Sequence, residues 1–225
     1  MNQPRMLEVR RNVLKENDLL SRALRDRFHH AGLIAVSLVS SPGAGKTTLL
    51  ERVLTDLHRE YRVAALVGDL ATENDAARLA RSGAPVRQIT TGTVCHLDAK
   101  MVEQALAGWA LEDLDFLFIE NVGNLVCPSS FDLGEDLRLV LVSTTEGEDK
   151  PLKYPTIFNT ADVAVVTKLD LAGAVGFELK ELIANIHGVR PGMPVLTLSS
   201  RTGEGIAELE QFLISHRTRA ARGVA

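Results

Sequence analysis

The sequence predicts an α/β fold with a doubly wound, mostly parallel β-sheet, helices on both faces and one appended N-terminal helix. Short aliphatic and β-branched runs alternate with amphipathic stretches along almost the whole chain. Runs that are apolar on both faces are typical of buried parallel strands, and their alternation with helices indicates crossover connections. We expect ligands beyond the carboxyl ends of these strands.

The elements follow from the spacing of apolar residues. The predicted strands are LIAVSLV (33–39), RVAALVGD (62–69), PVRQIT (85–90), DFLFIE (115–120), LRLVLVST (137–144), ADVAVVT (161–167) and PVLTLSS (194–200). The predicted helices cover 7–30, 46–60, 73–82, 96–110, 173–186 and 204–217. The apolar face of the first helix consists of Val9, Val13, Leu14, Leu20, Leu24 and Phe28. We divide the chain into an N-terminal helical segment (1–31), one α/β domain (32–217) and a C-terminal tail (218–225).

Composition and charge exclude several classes of protein. Of the 225 residues, 45% are hydrophobic and 24% are charged, as in ordinary globular proteins. The formal net charge of −4 provides no basic surface for nucleic acid. The first residues lack the apolar core of a signal peptide, and no later run is long enough to span a bilayer. We therefore expect a cytoplasmic protein without a nucleic-acid or membrane partner.

A glycine-rich loop joins the first strand of the domain to the helix after it. It reads SSPGAGKTT from Ser40 to Thr48, which is a P-loop in the expected context, although the strict motif begins with glycine and not with serine. Its predicted phosphate-binding residues are Gly43, Ala44, Gly45, Lys46, Thr47 and Thr48. We expect Lys46, in a solvated loop, to neutralise the β- and γ-phosphates and the Thr47 hydroxyl to bind Mg²⁺. The domain is therefore predicted to be a P-loop NTPase.

The segment after ADVAVVT predicts which base is bound. Thr167-Lys168-Leu169-Asp170 resembles the N-K-x-D guanine motif, with Thr167 in place of asparagine. Asp170 can accept from N1–H and the 2-amino group of guanine, and because adenine lacks both donors, ATP is disfavoured by roughly a hundredfold or more. Ser200 and Arg201, after the last strand, either support the base or cap the next helix. We expect GTP and GDP as ligands.

Acidic residues at strand ends are the candidates for hydrolysis. Asp69 ends RVAALVGD, and Asp75 follows in a segment that can move as a switch. Glu120 begins an E-x-x-G variant of the D-x-x-G switch, in which the Gly123 amide can face the γ-phosphate. The predicted catalytic residues are Lys46, Asp69, Asp75 and Glu120, and the predicted magnesium ligands are Thr47, Asp69 and Glu120. For Asp75, a charge at a helix N-terminus is the alternative role.

Two cysteines and one histidine form a second candidate site. Cys95 and His96 are adjacent, and Cys127 lies shortly after the Glu120 switch. A single free cysteine is more often a packing residue than a ligand. Both cysteines, however, follow predicted strand ends on the nucleotide side, so two thiolates and one imidazole can converge there. Such a set suits Ni²⁺ or Zn²⁺ better than Mg²⁺, and three ligands leave room for a second subunit or a client.

Several collinear segments together resemble the hydrogenase nickel-incorporation GTPase (HypB) family. They are SSPGAGKTTLLE, GDLATENDA, TGTVCHLDA, FIENVGNLVCP, FDLGEDL, TEGEDKPLKYP and SSRTGEG. The resemblance implies GTP hydrolysis, a homodimer linked to GTP, and nickel delivery by Cys95, His96 and Cys127. It also implies two partners, which are a nickel-donating accessory protein and a hydrogenase large-subunit precursor.

Other interpretations compete with this one. The urease nickel-insertion GTPase carries a Cys-Pro-His motif, whereas Cys95 and His96 are adjacent here. A second alternative is a GTP-switched metal-binding module that hydrolyses very slowly, and a third is an ATP-dependent kinase, which the TKLD segment disfavours. Only His29 and His30 occur near the N-terminus, at a predicted helix end. We therefore expect nickel to come from a partner and not from a storage tract.

Overall fold

A computed structural model describes residues 3–70 and 74–223, with side chains described within 11–70 and 74–219. Residues 71–73 of the predicted GDLATENDA segment lie outside the described residues, as do both chain ends and the side chain of Val9. None of the described helices combines the length and apolarity that crossing a membrane requires.

Within the described residues, seven strands form one sheet in the order β3-β2-β4-β1-β5-β6-β7. They are β1 (Ile34–Ser40), β2 (Val63–Asp69), β3 (Val86–Thr90), β4 (Phe116–Glu120), β5 (Leu137–Ser143), β6 (Val163–Thr167) and β7 (Val195–Thr197). Every pairing is parallel. Each predicted run is a strand, and the predicted fold class is confirmed, with a sheet that is entirely parallel. In this order β4 lies on one side of β1 and β5 on the other, so the crossover connections lead away from β1 in both directions. Such a change of direction places the ligand crevice beside the carboxyl end of β1.

Helices connect the strands on both faces of the sheet. They are α1 (Gln3–Ala31), α2 (Lys46–Leu57), α3 (Asn74–Leu79), α4 (Ala99–Ala105), α5 (Lys150–Lys153), α6 (Pro155–Thr160), α7 (Ala172–Val175), α8 (Leu179–Val189) and α9 (Ile206–Gly223). The helix predicted over 96–110 is shorter because Asp98 caps α4 by accepting from the Met101 amide. The helix predicted over 173–186 is interrupted at Gly176, where φ is +67°. The last helix extends beyond 217 to Gly223.

The core divides into layers on the two sides of the sheet. On one side α2 and α9 pack against alternate residues of the central strands, such as Val36 and Leu139. On the other side α1 and α4 cover β1, β2 and β4, and α6 and α8 cover β5 and β6. The long α1 is therefore part of the core, although the predicted apolar residue Val13 is 48% exposed.

The buried stripe of α1 is more polar than its sequence pattern predicts. Along this stripe Asn17, Ser21, Leu24 and Phe28 are all buried. Their spacing alternates between four and three residues, which places them on one helix face. The two histidines at the end of α1 face polar neighbours: the His29 ring lies 2.6 Å from an Asp136 carboxylate oxygen, and that of His30 lies 2.6 Å from the Asp26 carbonyl.

Candidate nucleotide and metal sites

A crevice of about 560 Å³ opens at the carboxyl ends of β1, β2 and β4. It brings together most of the residues predicted to bind or hydrolyse a nucleotide. Those that line it are Gly43, Gly45, Lys46, Thr47, Thr48, Asp69, Asp75, Glu120, Gly123 and Lys168. Four segments, which follow β1, β2, β4 and β6, converge there because the carboxyl ends of parallel strands lie at one edge of the sheet.

The P-loop takes its path from two glycines. Gly43 has φ of +76° and Gly45 has φ of +96°, a left-handed conformation in which a side chain would be strained. Gly45 immediately precedes α2, so the first amides of that helix face the crevice. Ala44, which was also predicted to bind phosphate, is fully buried behind the loop.

Lys46 is buried, so the expectation that it lies in a solvated loop is wrong. It is the first residue of α2 and is only 8% exposed. Its ammonium group donates to the Ser40 hydroxyl over 2.9 Å. Burial lowers the pKa of Lys46, and the nearby Glu120 carboxylate opposes that effect. The serine that replaces the first glycine of the motif therefore holds the lysine in place.

Thr47 and Glu120 form an oxygen pair in the crevice. The Thr47 hydroxyl donates to one oxygen of the Glu120 carboxylate over 2.6 Å. The other Glu120 oxygen is buried and has no hydrogen-bond partner in the described part of the chain. Burial raises the pKa of Glu120 to about 7. A carboxylate oxygen left unpaired beside a hydroxyl suits a hard cation such as Mg²⁺, so this pair fits the predicted magnesium site.

Asp69 and Asp75 also line the crevice. The Asp69 carboxylate accepts from the Leu70 amide over 2.7 Å at the end of β2. Asp75 is in the first turn of α3 and also lines the crevice, so it occupies both of the positions considered for it.

Gly123 lies directly against the P-loop. A side chain at this position would begin 2.9 Å from the Pro42 Cα, which is closer than real Cβ atoms approach. Only glycine therefore lets the Glu120–Gly123 segment lie against the phosphate-binding loop.

The residues predicted to read the base lie in the loops after β6 and β7, and of these Lys168 alone is among the residues that line the crevice. The Thr167 hydroxyl donates to the Ala44 carbonyl over 2.6 Å and is buried, so it braces the P-loop. Lys168, at φ of +57°, donates to the Gly43 carbonyl over 2.8 Å. Asp170 is exposed and accepts from the hydroxyl of Ser199 over 2.6 Å.

Ser199 is a site residue that sequence reasoning missed. The predicted residues of this loop, Ser200 and Arg201, follow it directly in the turn after β7. The Ser199 hydroxyl also accepts from the Thr202 amide, so it links the loop to Asp170. Its place as the first serine of SSRTG, closest to the strand, is the signal that points to it.

The predicted metal ligands converge in space. One ligand atom from each of Cys95, His96 and Cys127 lies within 4.8 Å of the others. The two sulfur atoms are 2.8 Å apart, and all three residues are half-buried. Burial lowers the pKa of His96, which favours the neutral imidazole that binds metals. Convergence of this kind supports a ligand role over simple packing.

Two asparagines join the metal site to the nucleotide switch. Asn121, next to Glu120, accepts from the Leu97 amide over 3.0 Å. Asn124 donates to the Cys95 carbonyl over 3.4 Å and accepts from the Cys127 amide over the same distance. Neither asparagine was predicted, because backbone hydrogen bonds to distant loops leave no pattern in the sequence.

Comparisons with known proteins identify the family. The family model described as CobW/HypB/UreG, nucleotide-binding domain, matches residues 34–197, from the start of β1 to the end of β7. A hydrogenase maturation factor HypB from Rhizobium leguminosarum bv. viciae is 46% identical over 223 residues, covering 99% of this chain and 75% of the relative. The chain belongs to the HypB family.

Solved structures of the HypB family share the fold. HypB from Helicobacter pylori, crystallised in complex with nickel, is 39% identical and superposes with a TM-score of 0.86, covering 91% of this chain and 96% of that one. The hydrogenase maturation factor HypB from Archaeoglobus fulgidus is 38% identical with a TM-score of 0.84, covering 90% and 99% of the two chains. The chain therefore has the P-loop fold of the HypB family.

Proposed function

We propose that this protein is a GTP-hydrolysing metallochaperone that delivers nickel during maturation of [NiFe]-hydrogenase. The observation that carries the proposal is the short connection between the two sites. Glu120 and Gly123 face the crevice, and Cys127 lies on the same loop, four residues after Gly123. Similarity to hydrogenase maturation factors supports hydrogenase as the client.

The nucleotide substrate is GTP. Asp170 is exposed, is held by the Ser199 hydroxyl, and can accept from both donors of guanine. Lys46 offsets charge on the β- and γ-phosphates, and Asp69 and Asp75 lie where a water molecule can be oriented. Thr47 and Glu120, with Asp69 nearby, would hold Mg²⁺, which when bound neutralises charge developing on the phosphates.

The cargo is nickel, with zinc as a competitor for the same ligands. Two thiolates and one neutral imidazole suit either ion. Three protein ligands leave the coordination shell open, so a second copy of the chain, a donor protein or the hydrogenase precursor can complete it. We propose a GTP-linked homodimer that receives nickel from an accessory protein and passes it to the client in the cytosol, where both thiols stay reduced.

Metal and nucleotide are coupled in this proposal. A movement of Gly123 after hydrolysis displaces Cys127, and Asn121 carries the same movement to the chain beside His96. Thermodynamic reciprocity requires that nickel alter GTP affinity by the factor by which GTP alters nickel affinity.

Metal titrations in two nucleotide states test the proposal. Nickel and zinc affinities are measured by calorimetry with GDP and with a non-hydrolysable GTP analogue, in wild type and in Cys127→Ala. We expect the affinities to differ between nucleotide states in wild type, and Cys127→Ala to lose at least about tenfold in nickel affinity. Ser129→Ala, which removes a hydroxyl that lies two residues after Cys127 and donates to the Val126 carbonyl, is the matched control and should bind as wild type does.

Two outcomes would contradict the proposal. Unchanged nickel affinity in Cys127→Ala would reduce that cysteine to a packing residue. Identical affinities with GDP and with the GTP analogue would remove the coupling even if the ligands were correct. Oligomer size, measured in each state by light scattering, tests the GTP-linked homodimer.

A further inference from the structure

The N-terminal helix contacts the two loops that carry the metal ligands. Asn17 lies in its buried stripe and is 6% exposed. The side-chain oxygen of Asn17 accepts from the Ala99 amide over 2.9 Å, and the side-chain nitrogen donates to the Asp132 carbonyl over 2.8 Å. A polar side chain in this position is costly unless both of its ends are bonded, and here both are.

The two bonds of Asn17 join the loops on either side of the metal site. Ala99 lies three residues after His96, and Asp132 lies five residues after Cys127. One carboxamide therefore sets the distance between the backbone that follows the histidine and the backbone that follows the second cysteine. Asn121 and Asn124 hold the same two loops from the nucleotide side.

The loop after Cys127 also orients the ring of His96. Phe131, directly before Asp132, packs on the His96 ring with a centroid distance of 4.0 Å. The Nδ1 atom of His96 is buried and lacks a hydrogen-bond partner in the described part of the chain. Metal-binding histidines are usually oriented by a hydrogen bond from the second ring nitrogen. Here the ring instead packs on Phe131, whose position depends on the Asp132 backbone.

A second contact holds α1 against the same loop. One Arg25 guanidinium nitrogen lies 2.7 and 2.8 Å from the two Asp132 carboxylate oxygens. Gly134, at φ of +83°, lies so close to α1 that a Cβ there would be 2.8 Å from the Ser21 carbonyl. The loop after Cys127 is thus docked tightly on the helix, with Asn17 as the contact that also reaches Ala99.

We propose that Asn17 is a positioning residue of the metal site, through which the N-terminal helix holds Cys95, His96 and Cys127 in one ligand set. The inference rests on the proposed function, since it assigns a role toward the metal cargo. Asn17 itself does not bind the ion. Its two hydrogen bonds keep the loops at the spacing that the three ligand atoms need, so losing them weakens binding without removing a ligand.

Nickel binding to the full-length protein tests this role. We expect Asn17→Ala to bind nickel about tenfold more weakly than wild type and to shift the thiolate-to-nickel charge-transfer band, as loss of an outer-shell partner does. GDP affinity should remain within about twofold of wild type, because Asn17 is not among the residues that line the crevice. Asn17→Asp keeps the acceptor for Ala99 but places a carboxylate oxygen against the Asp132 carbonyl, so it should bind nickel at least as weakly as Asn17→Ala.

Ser21→Ala is the matched control. Ser21 lies one turn further along the same buried stripe, and its hydroxyl donates to Asp18 within the helix. We expect it to lower the melting temperature without changing nickel affinity or the charge-transfer band. Wild-type affinity and band in both Asn17 variants would overturn the inference, as would an equal affinity loss in Ser21→Ala. Cys127→Ala separates the two proposals. If Cys127→Ala binds nickel as tightly as wild type, the proposed function fails. If Cys127→Ala binds nickel more weakly while both Asn17 variants bind it as tightly as wild type, only the inference about Asn17 fails.

Discussion

The two regions predicted to bind the phosphates and the base are built in different ways. At the predicted phosphate end Lys46 and Glu120 are ionisable groups with exposures of only 8% and 3%. At the base end Asp170 is exposed to solvent. Electrostatic interactions are stronger where water is excluded, so the buried groups can act strongly on phosphate charge. The base end acts through the geometry of its hydrogen bonds. We therefore assign the rate of GTP hydrolysis to the phosphate end and base selectivity to the base end.

The two ends are nevertheless mechanically joined. Thr167 and Lys168 belong to the base-reading segment, and both donate to carbonyls of the P-loop, at Ala44 and Gly43. The threonine that departs from the guanine motif keeps this brace with its hydroxyl. A substitution that acts at one end only is therefore the sharpest way to test the division between them.

Lys46→Ala should have the largest effect. It removes the buried cation that offsets charge on the transferred phosphoryl group, so we expect GTP hydrolysis to fall by about a hundredfold or more. The fold should persist, because burying an ammonium group costs free energy and the substitution removes that cost. Phosphate release measures the rate, and circular dichroism checks the fold. Lys180→Ala, at an exposed lysine of α8, is the control. A Lys46→Ala variant that keeps more than about half of the wild-type rate would contradict this assignment.

Asp170→Asn should change the preferred base. Wild type should bind GDP roughly a hundredfold or more tightly than ADP, because only guanine offers two donors to the carboxylate. Asparagine can instead donate to the 2-oxo group of xanthine, so the variant should prefer XDP to GDP. Calorimetry with the three nucleotides measures this change. Equal affinity of wild type for GDP and ADP would remove the guanine assignment.

Glu120 should make the metal-free protein less stable at higher pH. Its pKa in the folded state is about 7, above the ordinary value of 4.5, so the folded state holds this proton more tightly than the unfolded state. From about pH 5.5 to about pH 8 the group should lower the free energy of unfolding by about 2 kcal/mol. Urea denaturation in a chelator measures the change, and in Glu120→Gln that part of the pH dependence should vanish. An identical pH dependence in wild type and Glu120→Gln would show that this buried carboxyl has an ordinary pKa.

The sequence by itself determined the elements whose signals are local. Continuous apolar runs predicted the strands other than β3, because a buried strand excludes polar residues from both faces. The shorter, partly polar segment PVRQIT predicted β3. The P-loop was also recognisable from the sequence, since Gly43 and Gly45 supply conformations that other residues avoid and Lys46 follows at a set spacing. The position of each candidate metal ligand beyond a strand end followed from the same pattern.

Tertiary structure alone decided the contacts that close the sites. The burial of Lys46, the bond from Ser199 to Asp170, and the bridge from Asn17 to Ala99 and Asp132 all join residues that are brought together only by packing of the sheet and helices. Asn17 looks like an ordinary polar residue of an amphipathic helix, because the amide and carbonyl that it satisfies lie 82 and 115 residues away. A hydrogen bond depends on distances of a fraction of an ångström, and residue order carries no such information until the fold has brought both partners together.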